Sequence, residues 1–379
     1  MRVALVCNLK KNEVARPAAP PDALAEYDSE ETAQALQDAL QAGGHDVILL
    51  EGDETLVDTV RHAAPDICFN IAEGLRGDAR EAQVPALLEM LGIPYTGSRV
   101  LAQAVSLDKA VTKRLWRDAD LPTAPFQVFR HGGEPLDPLL VYPLFVKPLS
   151  EGTGKGINPG SVVDSEAVLR RQLEWVIGTY RQPALVEEYL PRREFTGGLI
   201  GNSGGTAHGR RPDIYDERGY HVFPVLEIDA SVGAGEGVYN AASKSHNPGE
   251  AGAPLYLCPA DIPGTLESVL KRIAIEAFEA IGARDVARVD FRVGDDGRPY
   301  LLEINTLPGL NPVVSDLCIM ARAEGFPYHA LIDEILELAL ARHEAGKMPS
   351  LVDSAPRPAT SPLFQPLHAR VAVPTRDGL

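Results

Sequence analysis

The stretch from Val286 to Gly309, VARVDFRVGDDGRPYLLEINTLPG, constrains this chain more than any other. It reads as two alternating strands joined by Gly294, Asp295, Asp296 and Gly297, which supply the chemistry of a tight turn. Pairing Val293 with Arg298 across that turn sets Arg288 opposite Glu303 and Asp290 opposite Leu301. Arg288, Asp290, Glu303 and Asn305 then share one face, and Val289, Phe291, Leu302 and Ile304 the other. Diagonal neighbours on a hairpin lie roughly 7 to 8 Å apart, so the Asp290 and Glu303 carboxylates can converge on one small cation. Asn305 adds a neutral oxygen one pleat further on. An all-oxygen donor set suits Mg²⁺ that is also held by nucleotide phosphates. A strand of alternating charge is more often a solvated face than a metal site. Pro308 and Gly309 tip the balance, because they end the strand and leave a backbone N–H free to point at a ligand.

The chain of 379 residues, 45% hydrophobic, has room for two or three domains. Its net charge of −17 argues against nucleic acid or an anionic membrane as a general partner, so a polyanion would need a local basic pocket. Cys7, Cys68, Cys258 and Cys318 lack metal-type spacing and read as reduced core residues. The N-terminal VALVC is too short for a signal-peptide core, and no stretch approaches the roughly 18 apolar residues of a membrane span. These features predict a cytoplasmic protein.

Strands at 2–9, 46–50 and 66–71 alternate with helices at 29–42, 54–64 and 81–91, a pattern that predicts a parallel sheet with ligand loops at its strand C-termini. One such loop, 10–27, is long and rich in proline and alanine, the signature of a lid, a binding loop or disorder. A second, 70–98, carries Glu73 and Arg80, able to meet an ammonium and a carboxylate, or to form a plain surface ion pair. A helix opened by Ser106 or Asp108 places Lys109 in its first turn, against the helix dipole. The strand LVYPLFVKP ends in Lys147 and leads into SEGTGKGI, residues 150–157. That run fits neither a P-loop nor a dinucleotide fingerprint. It reads as a flexible flap whose backbone N–H groups, with Lys155 or Lys147, can close over phosphates. Helices follow at 165–180, 263–281 and 327–343, and the proline-rich tail from Lys347 lacks periodicity.

Taken together, GIPYTG, LDK, VKP with its flap, EEYL, EFT, ARVDF and YLLEINTLPGL resemble the D-alanine-D-alanine ligases of the ATP-grasp superfamily over about residues 1 to 345. The resemblance implies an α/β ATP-grasp fold with α+β elements. An N-terminal parallel α/β substrate domain (1–103) precedes two ATP-binding subdomains (104–192 and 193–346) and a tail (347–379). It places Lys109, Lys147, Gly152, Thr153, Lys155 and Lys244 at the ATP phosphates, and Glu187, Tyr189, Leu190 and Leu302 around adenine. Glu194 falls at the ribose, and Asp290, Glu303 and Asn305 at Mg²⁺, as one ion or two, with Mn²⁺ as a substitute. Arg288 and the Gly309 N–H stand at the oxyanion of a tetrahedral intermediate, with Lys244 nearby. Tyr239 falls at a substrate position, and Ser315 where the second substrate's carboxylate is held.

The chain also departs from its relatives. Glu73-Gly74 and Gly77-Asp78-Ala79-Arg80 stand where a His-Gly and a Gly-Glu-Asp-Gly are usual, CNLKKNE lacks the pattern of the glycine-rich stretch whose glutamate holds the D-alanine ammonium, Thr153-Gly154 replaces a serine pair, and Ser245 replaces a tyrosine. The implied activity is an ATP-dependent carboxylate-amine ligase working through an acyl phosphate. Its small amino-acid-like substrates would differ from a D-alanine pair and be held by Glu73 or Arg80. An ester-forming or specialised-metabolite ligase and a non-catalytic ATP-binding regulator are the alternatives, and a monomer or a homodimer is equally compatible.

Overall fold

The computed structural model describes residues 1–12, 19–204, 209–234, 237–241 and 246–345. The first layer is a parallel sheet in the order β2 (Asp46–Glu51), β1 (Arg2–Cys7), β3 (Ile67–Asn70). Because β1 is buried on both faces, its sequence is an unbroken apolar run rather than an alternating one. Val3, Leu5 and Cys7 pack toward α1 (Glu30–Ala42), while Ala4 and Val6 meet α2 (Leu56–Ala63) and α3 (Gln83–Leu91). Ser29 caps α1, its Oγ accepting the Thr32 N–H at 3.2 Å. The same core takes Leu331, Ile335 and Leu336 from the last helix, Tyr328–Ala345, so the chain's C-terminal end returns to cover its first sheet.

The sequence anticipates one helix near Lys109 and the structure has two. Val100–Leu107 (α4) ends at Asp108, which turns to an extended conformation and caps α5 (Lys109–Asp118) by accepting from the Ala110 and Val111 N–H groups at 2.9 Å. Next comes an antiparallel sheet ordered β4 (Phe126–Phe129), β7 (Ala184–Glu188), β5 (Leu144–Pro148), β6 (Val162–Val163), backed by α6 (Glu166–Tyr180). A second antiparallel sheet runs β11 (Leu255–Leu257), β10 (Leu226–Asp229), β8 (Glu194–Gly201), β12 (Asp285–Val293), β13 (Pro299–Asn305), with β9 (Tyr220–Val222) on β8. Helix α7 (Gly264–Ala280) packs Leu270, Ile273 and Phe278 on it, with Leu266 at the margin. Helix α8 (Asp316–Ala323) lies against β8 and β10.

The β12–β13 hairpin forms in a different register from the one its turn suggests. Val293 pairs with Pro299, and a bulge beyond Asp290 shifts the remaining pairs, so that Asp290 faces Glu303 and Arg288 faces Asn305. The bulge lets two consecutive residues depart from strict alternation. Leu301, not Leu302, enters the core, and Leu302 turns to the ligand side.

Candidate active site

Two cavities meet at the open end of the hairpin, of about 310 and about 70 Å³, and both are lined by Tyr239 and Glu303. The smaller lies between the two antiparallel sheets. Lys147, Glu187, Tyr189, Leu190, Glu194 and Leu302 all line it, as the sequence reading grouped them. Phe145 stacks on Tyr189 with ring centroids 6.2 Å apart, and the Arg292 guanidinium lies 5.2 Å from the Tyr189 ring and 3.6 Å from Glu194.

Beneath these walls lies a charge cluster the sequence reading did not contain. Glu187 receives Lys147 at 2.6 Å and Lys113 at 2.8 Å, and all three side chains are buried. Lys113 follows Lys109 by one helical turn, and its Nζ also donates to Thr123 Oγ1 at 2.7 Å and the Leu301 carbonyl at 3.1 Å. Burial alone would raise the Glu187 pKa, but the two ammonium groups overrule it and hold the carboxyl at about 2. Burial pushes the Lys113 ammonium down to about 8, against the pull of Glu187. The i, i+4 spacing of two lysines on α5 was the available signal.

The larger cavity gathers Glu73, Lys109, Gly152, Thr153, Arg288, Asn305, Gly309 and Ser315 of the predicted residues. Lys109 Nζ lies 3.2 Å from Glu303. Asp290 Oδ1 accepts Thr196 Oγ1 at 2.9 Å and Arg288 Nε at 3.0 Å, while Asp290 Oδ2 accepts Asn305 Nδ2 at 3.2 Å. The same arginine reaches Asp316 at 3.3 Å. Between them, Asp290 and Asp316 hold the buried Arg288 guanidinium firmly protonated. Asp290 and Glu303 are direct cross-strand partners, with Asn305 opposite Arg288, and the contacts seen at the two carboxylates are Arg288, Thr196 and the Asn305 amide nitrogen on Asp290 and Lys109 on Glu303. Among the described residues no three His, Cys, Asp or Glu side chains cluster as a self-sufficient metal cage. Two carboxylates and an amide oxygen fit instead a hard cation that completes its shell with phosphates.

Arg80 and Lys155 line neither cavity. Arg80 Nη2 lies 3.0 Å from both oxygens of Glu26 and 3.3 Å from Glu151, and its Nη1 donates to the Ser150 carbonyl at 3.0 Å. Lys155 also pairs with Glu26, at 3.0 Å, and with Glu151. These two cations thus tie the flap to the N-terminal segment rather than facing a ligand. The Gly152 N–H donates to Glu26 at 2.6 Å and the Gly156 N–H to Asp22 at 2.9 Å, so both ends of the flap are held. The end of the long 10–27 loop is therefore packed against the flap. It also brings Glu26, which the sequence reading did not single out, to the wall of the larger cavity. The position of LAEYDS directly before the Ser29 cap was the clue, since it fixes that end of the loop. Lys244 and Ser245 lie outside the described residues.

Glu73 and Glu81 face the same cavity, and among the described residues neither carboxylate has a hydrogen bond or ion pair. Burial, reinforced by neighbouring carboxylates, pushes Glu73 well above the usual carboxyl range and Glu81 up to about 7.

Two antiparallel sheets closing on a cleft lined by the buried Lys147, with the β12–β13 hairpin along one wall, make up an ATP-grasp fold. The family model described as "D-ala D-ala ligase C-terminus" matches residues 115–337. A D-alanine-D-alanine ligase of Pelotomaculum thermopropionicum is 30% identical over 82% of this chain and 91% of its own, and that of Dichelobacter nodosus is 33% identical over 81% and 90%. The chain belongs to the D-alanine-D-alanine ligase family. An uncharacterized Sinorhizobium fredii protein, y4sG, is 36% identical over 90% of this chain and 98% of its own. The crystal structure of the Bacillus anthracis D-alanine-D-alanine ligase complexed with ATP superposes with a TM-score of 0.67 at 22% identity, covering 91% of this chain and 99% of that one. Among the described residues no helix is long and apolar enough to cross a membrane.

Proposed function

We propose that this protein is an ATP-dependent ligase that joins a carboxylic acid to an amine through an acyl phosphate, with a substrate pair other than two D-alanines. The observation that carries the reading is the junction of the two cavities at Glu303, which puts the cleft of Lys147, Tyr189 and Leu302 and the larger chamber of Glu73 and Ser315 on either side of one hairpin.

The smaller cavity takes the adenine between Tyr189, Leu190 and Leu302, with Glu194 at the ribose. The phosphates lie toward Lys147, Lys109 and the Gly152–Thr153 backbone. A carboxylate oxygen of the first substrate attacks the terminal phosphorus and ADP departs. The amine then attacks the acyl carbon, and phosphate leaves with its oxygen. Asp290, Glu303 and Asn305 would hold Mg²⁺, which supplies charge neutralisation at the transferring phosphate. Arg288 is held on the hairpin face by Asp290 and Asp316, and Gly309 lies beside Ser315. Both are positioned to donate to the oxyanion that develops on the acyl carbon's oxygen, a preorganised contact worth about 3 to 4 kcal/mol.

Among the described residues Glu73 lines the chamber with no hydrogen bond or ion pair, and it is the residue best suited to meet an ammonium. Arg80 is already committed to Glu26 and Glu151, so this part of the substrate reading rests on Glu73 alone. The test is an ADP-release screen of the full chain with Mg-ATP over D- and L-amino acids and other acids, singly and paired with amines. Turnover that requires both an acid and an amine supports a ligase. Hydroxyl acceptors that outpace amines would make the product an ester, and no stimulation by any acid would overturn the reading.

A further inference from the structure

The carboxylates of the larger chamber fall into two groups. Those of Glu303 and Asp316 meet Lys109 and Arg288, and those of Glu26 and Glu151 meet Arg80 and Lys155. Asp28, Glu73 and Glu81 line the same chamber, and among the described residues their carboxylates have no hydrogen bond or ion pair. All three are partly buried, and burial pushes Asp28, like Glu81, up to about 7. A carboxylate withdrawn from water without a partner costs stability, so an unpaired set facing one cavity calls for an explanation. The backbone holds the set in place. The buried Asn8 accepts the Asp28 N–H on its carbonyl at 3.0 Å and the Gly74 N–H on its Oδ1 at 2.9 Å, and its Nδ2 donates to the Gly52 carbonyl at 3.1 Å. Glu81 follows Arg80, whose guanidinium is fixed by Glu26 and Glu151. Lys109 and Glu303 act on Glu81, while Asp28 acts on Glu73, so the three carboxylates run in the order Glu81, Glu73, Asp28 away from the hairpin. Among the described residues no three His, Cys, Asp or Glu side chains converge as a metal site would require. Carboxylates strung along a wall fit an extended organic cation better than a single ion.

Building on the ligase reading, we propose that the acid substrate is an amino acid with a cationic side chain, its carboxylate toward the Lys109 end of the chamber, its α-ammonium against Glu81 and its side-chain cation against Glu73 and Asp28. The cation supplies the partner that the chain itself withholds from these carboxylates, as a charge-assisted contact in a partly desolvated setting. A neutral side chain of the same length leaves Glu73 and Asp28 unpaired beneath it. The chamber therefore rejects such a substrate by what it fails to satisfy, which discriminates more sharply than apolar fit does.

The experiment is calorimetric titration of the full chain, with Mg²⁺ and a non-hydrolysable ATP analogue present, using lysine and arginine in both D and L forms, with norleucine of each hand as the uncharged control. In at least one hand, wild type should bind lysine or arginine at least about tenfold more tightly than norleucine. Asp28→Asn and Glu73→Gln, each with circular dichroism matching wild type, should cut that advantage by about threefold or more. Norleucine binding to wild type as tightly as the basic amino acids, or an advantage that survives intact in both folded variants, would overturn the proposal. Should neither variant fold, the wild-type comparison decides alone. The analogue is titrated separately. If it binds and no basic amino acid does, the cationic assignment falls and the ligase reading stands; if it does not bind, both fall.

Discussion

Replacing Glu187 by glutamine removes the counter-ion from two buried ammonium groups, and the loss can be sized from the cluster itself. Lys113 is fully buried and Lys147 is 5% exposed, with Glu187 at 2.8 and 2.6 Å. A Glu187 carboxyl held at about 2 instead of its ordinary 4.5 corresponds to about 3 kcal/mol of native-state stability at neutral pH. Because its folded pKa is depressed, that contribution is fully present above the ordinary value and disappears as pH falls through 4.5 toward 2. Lys113 has the opposite sign. Its ammonium, pushed from 10.5 to about 8, costs stability below pH 8, and the cost fades as pH rises toward 10.5. Without Glu187 that cost grows, since the ammonium keeps its burial and the repulsion of Lys147 and loses the carboxylate that offsets them most. We expect Glu187→Gln to lose at least about 3 kcal/mol in urea unfolding at pH 7 with an unchanged m-value, and the gap from wild type to narrow by about pH 10. Adding Lys113→Met to Glu187→Gln should recover part of the loss. A deficit under about 0.5 kcal/mol at pH 7, or one that ignores pH, would refute the reasoning.

Three further outcomes can be checked. Glu303→Gln should abolish ATP turnover while leaving the circular dichroism and unfolding midpoint intact; ordinary turnover by the folded variant would remove the hairpin from the mechanism. Asp22→Asn weakens an anchor that accepts from both the Gly156 N–H and Tyr180 Oη, so the 151–157 flap should be cut several-fold faster by protease without nucleotide and be protected again by Mg-ATP. D-alanine alone should drive phosphate release poorly compared with the best acid in a panel, and efficient D-alanyl-D-alanine formation, undiminished in Glu73→Ala, would show that the substrate end has been misread.

The fold was legible where local chemistry dictates it. Ser29 and Asp108 were each one of two candidate caps and are the ones used, and the apolar run of β1 can only be a strand covered on both faces. The hairpin register was not legible, because the bulge after Asp290 depends on packing Leu301 into a core built from α5 and α7, which no short-range pattern encodes. The site was legible as a set of residues. Lys147, Glu187, Tyr189, Leu190, Glu194 and Leu302 line the smaller cavity and Lys109, Gly152 and Thr153 the larger, while Lys155 lines neither. What stayed hidden was pairing at long sequence separation. Arg80 with Glu26, Lys155 with Glu26 and Lys113 with Glu187 join residues that carry no mark of one another in the sequence, so isolated lysines and arginines read there as ligand contacts when several of them are internal ties.

The departures around the flap form one physical arrangement. Gly154 has φ near +71°, and a Cβ there would stand 2.8 and 2.9 Å from the Asn240 backbone, so a side chain at that position is incompatible with the 237–241 segment pressed against it. The second hydroxyl of the usual serine pair is thus lost for a steric reason, and the flap must be held by something else. Lys155, one residue on, supplies the hold by pairing with Glu26 and Glu151, and Arg80 closes the same cluster from the other side. Two cations and two carboxylates in a buried setting balance in charge and resist screening by salt far better than a surface pair would. Removing any one member leaves an uncompensated buried charge beside the phosphate-facing backbone of Gly152. The 10–27 loop, whose composition alone leaves a lid, a binding loop or disorder open, thereby ends in a segment that holds the flap through Asp22 and Glu26.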